Sequence, residues 1–176
     1  MTLGNNLLEH LYELLTPRSK KSPAALKVDG ESPIPDPVVP WVLCIDDDPD
    51  YSRALKLRLE SHGVAVVRAY DGVTGFHSAF CNSASAILLD YHLPNAQGDY
   101  VLGRLKDTAI TRDIPVLVVT GMSDRAIERK MLNLGAEVVL TKPVEFATLR
   151  RELARHINIL GVAAPGFEIP ACEAIV

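Results

Sequence analysis

The sequence predicts an α/β domain, a doubly wound, five-stranded parallel sheet with helices on both faces. Two observations predict it. From Trp41 onward, five short runs rich in Val, Leu and Ile alternate with segments of helical period, as expected for strands buried on both faces and joined by crossover helices. Four of these runs also end at polar residues: acidic residues after the first, an aspartate after the third, a threonine closing the fourth and a lysine after the fifth. An open parallel sheet collects such positions at one edge, outside the carboxyl ends of its strands.

The first fifteen residues read as a short amphipathic helix, because Leu7, Leu8, Leu11, Leu14 and Leu15 recur at helical spacing with Glu9, His10 and Glu13 between them. Thr16-Pro17 ends it, which makes 1–16 one unit. Residues 17–40 hold six of the 12 prolines and the basic stretch Arg18-Ser19-Lys20-Lys21, the composition of an extended linker. The domain proper is 41–160. Its strands are expected at Trp41–Ile45, Val64–Arg68, Ala84–Leu89, Val116–Thr120 and Val138–Leu140, and its helices at Pro49–Ser61, Gly72–Phe80, Asp99–Lys106, Asp124–Leu134 and Glu145–Asn158. Gly63 and Gly135 stand where C-terminal helix caps belong. The last helix carries the clearest apolar stripe, Phe146, Leu149, Leu153, Ile157 and Leu160, a face suited to packing on the sheet. The tail, 161–176, has no periodicity and is assigned no structure.

At 176 residues and 48% hydrophobic content the chain is long enough to fill one real core. Its 18 basic against 22 acidic side chains give −4, a balance opposite to that of a general nucleic-acid binder, so no DNA-binding domain is expected. Cys44, Cys81 and Cys172 have no metal-ligand spacing and read as small core or tail residues in a reducing compartment. No apolar run reaches the length of a membrane span and no cleavable leader is apparent, so the expectation is a cytoplasmic protein without a membrane partner.

The polar residues gathered at the sheet edge define the chemistry. Asp46 and Asp47, within the cluster Asp46, Asp47, Asp48 and Asp50, follow the first strand, and Asp90 follows the third. Packed carboxylates repel one another and call for a cation. An acidic pair with a third aspartate suits Mg²⁺, which takes a few carboxylate oxygens and keeps waters that a phosphate displaces. A carboxylate is also a competent nucleophile toward phosphorus. Lys142 would supply an ammonium and Thr120 a hydroxyl to the phosphoryl oxygens.

These residues carry a resemblance. Val42-Leu43-Cys44-Ile45-Asp46-Asp47-Asp48-Pro49, Leu88-Leu89-Asp90-Tyr91-His92-Leu93-Pro94 with Gly98, Val118-Val119-Thr120-Gly121, and Gly135-Ala136 leading to Thr141-Lys142-Pro143 resemble the receiver domain of the two-component response regulator family over about 120 residues. The resemblance implies the flavodoxin-like strand order 2-1-3-4-5. It also implies that Asp90 is the phosphoacceptor, that Asp46 and Asp47 organise the metal, with Asp47 and Asp90 binding it directly, and that the backbone carbonyl of His92 is a further metal ligand. Thr120 and Lys142 match the residues that contact the phosphoryl group, and Lys142-Pro143 a peptide bond that is usually cis.

Three positions depart from the family pattern. Val139 stands where an aromatic residue commonly swings inward on phosphorylation, Val144 where phenylalanine commonly follows Lys-Pro, and Gln97 where aspartate often precedes the glycine. The expected function is phosphorelay signalling: a histidine kinase or phosphotransfer protein phosphorylates Asp90, and the output is binding to a downstream protein. No catalysis is expected beyond self-catalysed phosphoryl acceptance and slow autodephosphorylation. The leucine-striped N-terminal helix is expected to dock on the domain or to mediate a homodimer, since so short a helix is marginal alone. Two alternatives stand beside this reading. One is a phosphorylation-independent, receiver-like adaptor uncoupled at Val139. The other is an aspartate-nucleophile phosphatase built on the Asp-x-Asp spacing of Asp46 and Asp48, which Pro49-Asp50 disfavours.

Overall fold

The computed structural model describes residues 39–94 and 96–159. The expected N-terminal helix with its dimer role, the linker as far as Val38, the C-terminal tail and Leu160 lie outside the described residues. In chain order the elements are β1 (Trp41–Ile45), α1 (Pro49–Glu60), β2 (Ala65–Ala69), α2 (Gly72–Cys81), β3 (Ala86–Leu89), β4 (His92–Leu93), β5 (Ala96–Gln97), α3 (Gly98–Asp107), β6 (Val116–Thr120), α4 (Arg125–Asn133), β7 (Val138–Thr141) and α5 (Phe146–Leu153).

Five strands form one sheet in the order β2-β1-β3-β6-β7, and every pairing in it is parallel. This is the expected order 2-1-3-4-5 of the long strands. Alternation along β1 divides the core into two layers. Leu43 and Ile45 point into one with Ala79, Leu102, Leu105 and Met131 from α2, α3 and α4. Val42 and Cys44 point into the other with Leu55, Leu59, Leu149 and Leu153 from α1 and α5. Both faces of the sheet are therefore covered, which explains why its strands read as continuous apolar runs.

Helix ends follow local chemistry. Asp48 caps α1, its carboxylate accepting from the N–H groups of Asp50 and Tyr51, with Pro49 in the first turn. Asp71 caps α2 by accepting from Val73 and Thr74. Gly63 (φ 80°) and Gly135 (φ 99°) occupy the left-handed region and close α1 and α4. The paired backbone bonds Gly63 to Glu60 and Val64 to Leu59, and Gly135 to Leu132 and Ala136 to Met131, are Schellman motifs.

The expected boundaries hold to within about two residues except at α5, which ends at Leu153 and not at Asn158. There the ladder tightens, because Arg155 and His156 donate to carbonyls three residues back. The stripe survives the change, with Ile157 7% exposed. The two-residue ribbon β4–β5, antiparallel with His92 opposite Gln97, was not anticipated from the sequence.

Candidate functional site

Register delivers the polar residues to one edge of the sheet. Ile45 pairs with Leu89, Leu89 with Val118 and Thr120 with Thr141, so Asp46, Asp90, Thr120 and Lys142 all emerge at the carboxyl ends of neighbouring strands.

Asp46 is 2% and Asp90 6% exposed, a degree of burial that carboxylates adopt only with partners. One oxygen of Asp46 accepts the Asp48 N–H at 3.0 Å, and the other accepts Lys142 Nζ at 2.7 Å. Asp90 Oδ1 accepts its neighbour's N–H, from Tyr91, at 2.8 Å, while Oδ2 lies 3.5 Å from Lys142 Nζ. Asp47 is exposed, yet its carboxylate meets the other two: Asp46, Asp47 and Asp90 each offer an oxygen within 4.8 Å of the others. Three convergent carboxylates are hard oxygen donors, so the residues present fit a divalent cation.

Burial pushes the Asp90 carboxyl above its ordinary value; Lys142 opposes the shift and Asp46 adds to it. For Lys142 burial acts against the charge, but the hydrogen bond and attraction of Asp46, together with Asp90, outweigh it and hold the ammonium above its ordinary range. The ammonium is thus held charged, while the Asp90 carboxylate is only partly compensated. Cys44, buried in β1, is no rival nucleophile, because burial first and Asp46 second push its thiol up to about 12.

Thr120 is fully buried at the end of β6. Its Oγ1 accepts the Met122 N–H at 3.2 Å, and its carbonyl accepts the Lys142 N–H at 2.7 Å, which leaves the hydroxyl hydrogen for another acceptor. The Lys142-Pro143 bond is cis, as expected. The His92 side chain is exposed, packing edge-on against Tyr91 at 5.3 Å between centroids, so the ring is not gathered with the carboxylates. Gly98 lets two backbones approach, since a Cβ there would sit 2.5 Å from the Asp90 carbonyl oxygen and 2.8 Å from Tyr91 Cα.

Val139 packs against one core layer and Val144 against the other; neither presents an aromatic ring. Asp48 is committed to capping α1, so the Asp-x-Asp spacing of Asp46 and Asp48 does not supply the paired carboxylates; Asp47 and Asp90 do. Sequence reasoning missed Tyr51, whose ring lies 4.4 Å from Lys142 Nζ. Its place in the first turn after the Asp48 cap was the available signal.

Residues 42–154 match the family model of the response regulator receiver domain. The DNA-binding dual master transcriptional regulator RpaA of Synechocystis is 34% identical over 134 residues, which cover 74% of this chain and 56% of that protein. The chain spans about half the length of the first curated relatives it matches. Among solved structures, a chemotaxis protein of Vibrio cholerae, CheY4, superposes with a TM-score of 0.64 at 23% identity, over 68% of this chain and 99% of that one. The receiver domain of a Pseudomonas aeruginosa sensor histidine kinase, solved with magnesium coordinated in its active-site cleft, gives 0.62 at 26% identity, over 66% and 96%.

Proposed function

The chain belongs to the response regulator receiver domain family, and on that premise we propose that it accepts a phosphoryl group on Asp90, from a histidine kinase or phosphotransfer protein, and passes the signal on by binding a downstream protein. The observation that carries this reading is the convergence of Asp46, Asp47 and Asp90 with a lysine 2.7 Å from one and 3.5 Å from another of these carboxylates. Such a site is built for oxygens that bear negative charge.

A carboxylate oxygen of Asp90 attacks phosphorus, forming the new P–O bond as the bond from phosphorus to the donor's nitrogen or oxygen breaks. The donor's leaving group departs with the bonding electrons. Phosphoryl transfer asks the protein mainly to place and neutralise charge. Lys142 moves its ammonium from the Asp46 carboxylate toward the incoming oxygens, and the Thr120 hydroxyl donates to one of them. Asp46 and Asp47, with the Asp90 side chain and the His92 backbone carbonyl, would hold Mg²⁺. When bound, the ion supplies the remaining positive charge on the phosphoryl oxygens.

Magnesium titration tests this reading together with labelling. Acetyl phosphate is expected to label the wild type only with Mg²⁺ present, at a rate that saturates with Mg²⁺ occupancy; labelling at full rate in chelator would contradict it.

A second reading rests on Val139, which packs half-buried against the core where a switching aromatic is common in the family. The receiver then binds its partner without regard to Asp90. Equal affinity for a partner with and without a beryllofluoride adduct on Asp90 would favour it.

A further inference from the structure

Tyr51 offers the carboxylates no hydrogen bond, yet its ring lies against Lys142. The Asp48 cap fixes the first turn of α1 by accepting the Tyr51 N–H at 3.0 Å, and the half-buried ring packs on the core layer that holds Val42 and Cys44. Lys142 Nζ sits 4.4 Å from the ring centroid, 2.7 Å from Asp46 Oδ2 and 3.5 Å from Asp90 Oδ2.

Each of the three neighbours restrains the ammonium differently. Asp46 holds it by a short directional bond, which must loosen when phosphoryl oxygens arrive. A lysine on a four-carbon stem then has many rotamers open to it. The face of an aromatic ring attracts a cation without accepting a directed hydrogen bond, and it does so over a range of positions. It therefore keeps the ammonium near Asp90 while leaving its N–H groups to the incoming oxygens. The phenol hydroxyl has no part in this, and burial keeps it protonated.

We infer that Tyr51 is a positioning residue for phosphoryl acceptance, holding the Lys142 ammonium over Asp90 through its ring face. The inference rests on Asp90 being the acceptor. It assigns the work to the ring and none to the hydroxyl, so Tyr51→Phe and Tyr51→Leu separate it from simple packing.

Two readouts on the full chain test it. Without donor, the Lys142 side-chain ammonium and ε-methylene signals are expected to show an upfield ring-current shift in the wild type and in Tyr51→Phe, and to lose it in Tyr51→Leu. With acetyl phosphate, Tyr51→Phe is expected to label at the wild-type rate and Tyr51→Leu about three- to tenfold more slowly, with Mg²⁺ affinity unchanged in both. Should Tyr51→Leu fail to fold, Tyr51→Met, which fills the space without a ring face, takes its place. A wild-type rate in the ringless variant, or a loss in Tyr51→Phe as large as in Tyr51→Leu, overturns the inference. A wild type that no donor labels counts against the acceptor reading; the lysine signal then decides the positioning contact alone, supporting it if shifted and overturning it if not.

Discussion

The strands that carry the acids and the strand that carries the base are built differently. β1 and β3 lie inside the sheet and are buried along their whole length, and the carboxylates after them, Asp46 and Asp90, are nearly buried as well. β7 lies at the edge of the sheet, half-buried along Val138–Leu140 and exposed at Thr141, and the Lys142 side chain is 21% exposed. Fixed negative charge thus sits on interior strands, and the positive charge, which on the proposed mechanism changes partners, sits at the margin. Carboxylates that repel one another need a stiff frame to stay together, whereas a cation that is to follow a phosphoryl group, as proposed, needs room.

The largest break in this contrast is removal of the acceptor. Asp90→Asn keeps the shape and removes the nucleophile, so labelling is expected to fall below detection, by about 10³-fold or more. The same variant should melt at a higher temperature than the wild type in metal-free buffer near neutral pH. The sign follows from linkage: the folded-state pKa of Asp90 is raised, so any favourable contribution exists below the unfolded value of about 3.8 and is lost as pH rises through the folded value. Ionised Asp90 then opposes folding, which an amide does not. A lower melting point would contradict this.

Lys142→Ala attacks the marginal side. Transition-state charge goes uncompensated, and labelling is expected to slow about 10²-fold. Asp46 and Asp90 are left buried without their cation, and urea unfolding should show a loss of about 2 kcal/mol or more. Lys142 has the same linkage sense as Asp90, since its pKa is also raised, but in a far more alkaline window: its contribution is fully present below its unfolded value of about 10.4, hence at pH 7, and fades as pH rises through the folded value. Equal stability of wild type and variant at pH 7 would show that the pair carries no net weight.

Gly98→Ala tests the frame and not the charge. The new methyl would meet the backbone of Asp90 and Tyr91, and a stability loss of about 1–3 kcal/mol is expected, with slower labelling because Asp90 is displaced. The smallest effect is expected at Val139→Tyr. Since the half-buried Val139 packs against the core and not among the carboxylates, the labelling rate should stay within about twofold. What should change is the response of β7 and α4 to phosphorylation, read as amide shift differences between the free and beryllofluoride-bound forms. A large change in rate would tie Val139 to the chemistry itself.

Much of this was legible in the sequence because both signals repeat. Strands buried on both faces cannot hide among polar residues, so the five apolar runs stood out. Asp46, Asp90, Thr120 and Lys142 could be placed at one edge once each was seen to end or follow a strand. Features without a period were not legible. The β4–β5 ribbon has two residues a side, too few to alternate, and the early end of α5 reflects carbonyls shared by tightened turns while the apolar stripe continues. Tyr51 escaped because its role depends on a contact with Lys142 across a separation that no local pattern encodes. The Asp-x-Asp spacing was the converse case, a local pattern that Pro49-Asp50 already disfavoured: Asp48 is close in sequence, but one of its oxygens is taken by the α1 backbone.

The most direct test of the central claim is to locate the phosphoryl group itself. After incubation with acetyl phosphate and Mg²⁺, borohydride reduction converts an aspartyl phosphate to homoserine, which peptide mass spectrometry places at a single position. Conversion at Asp90, absent from Asp90→Asn, is the predicted result. Conversion at Asp46 or Asp47 with Asp90 intact, or an acid-labile label on a histidine, would contradict it.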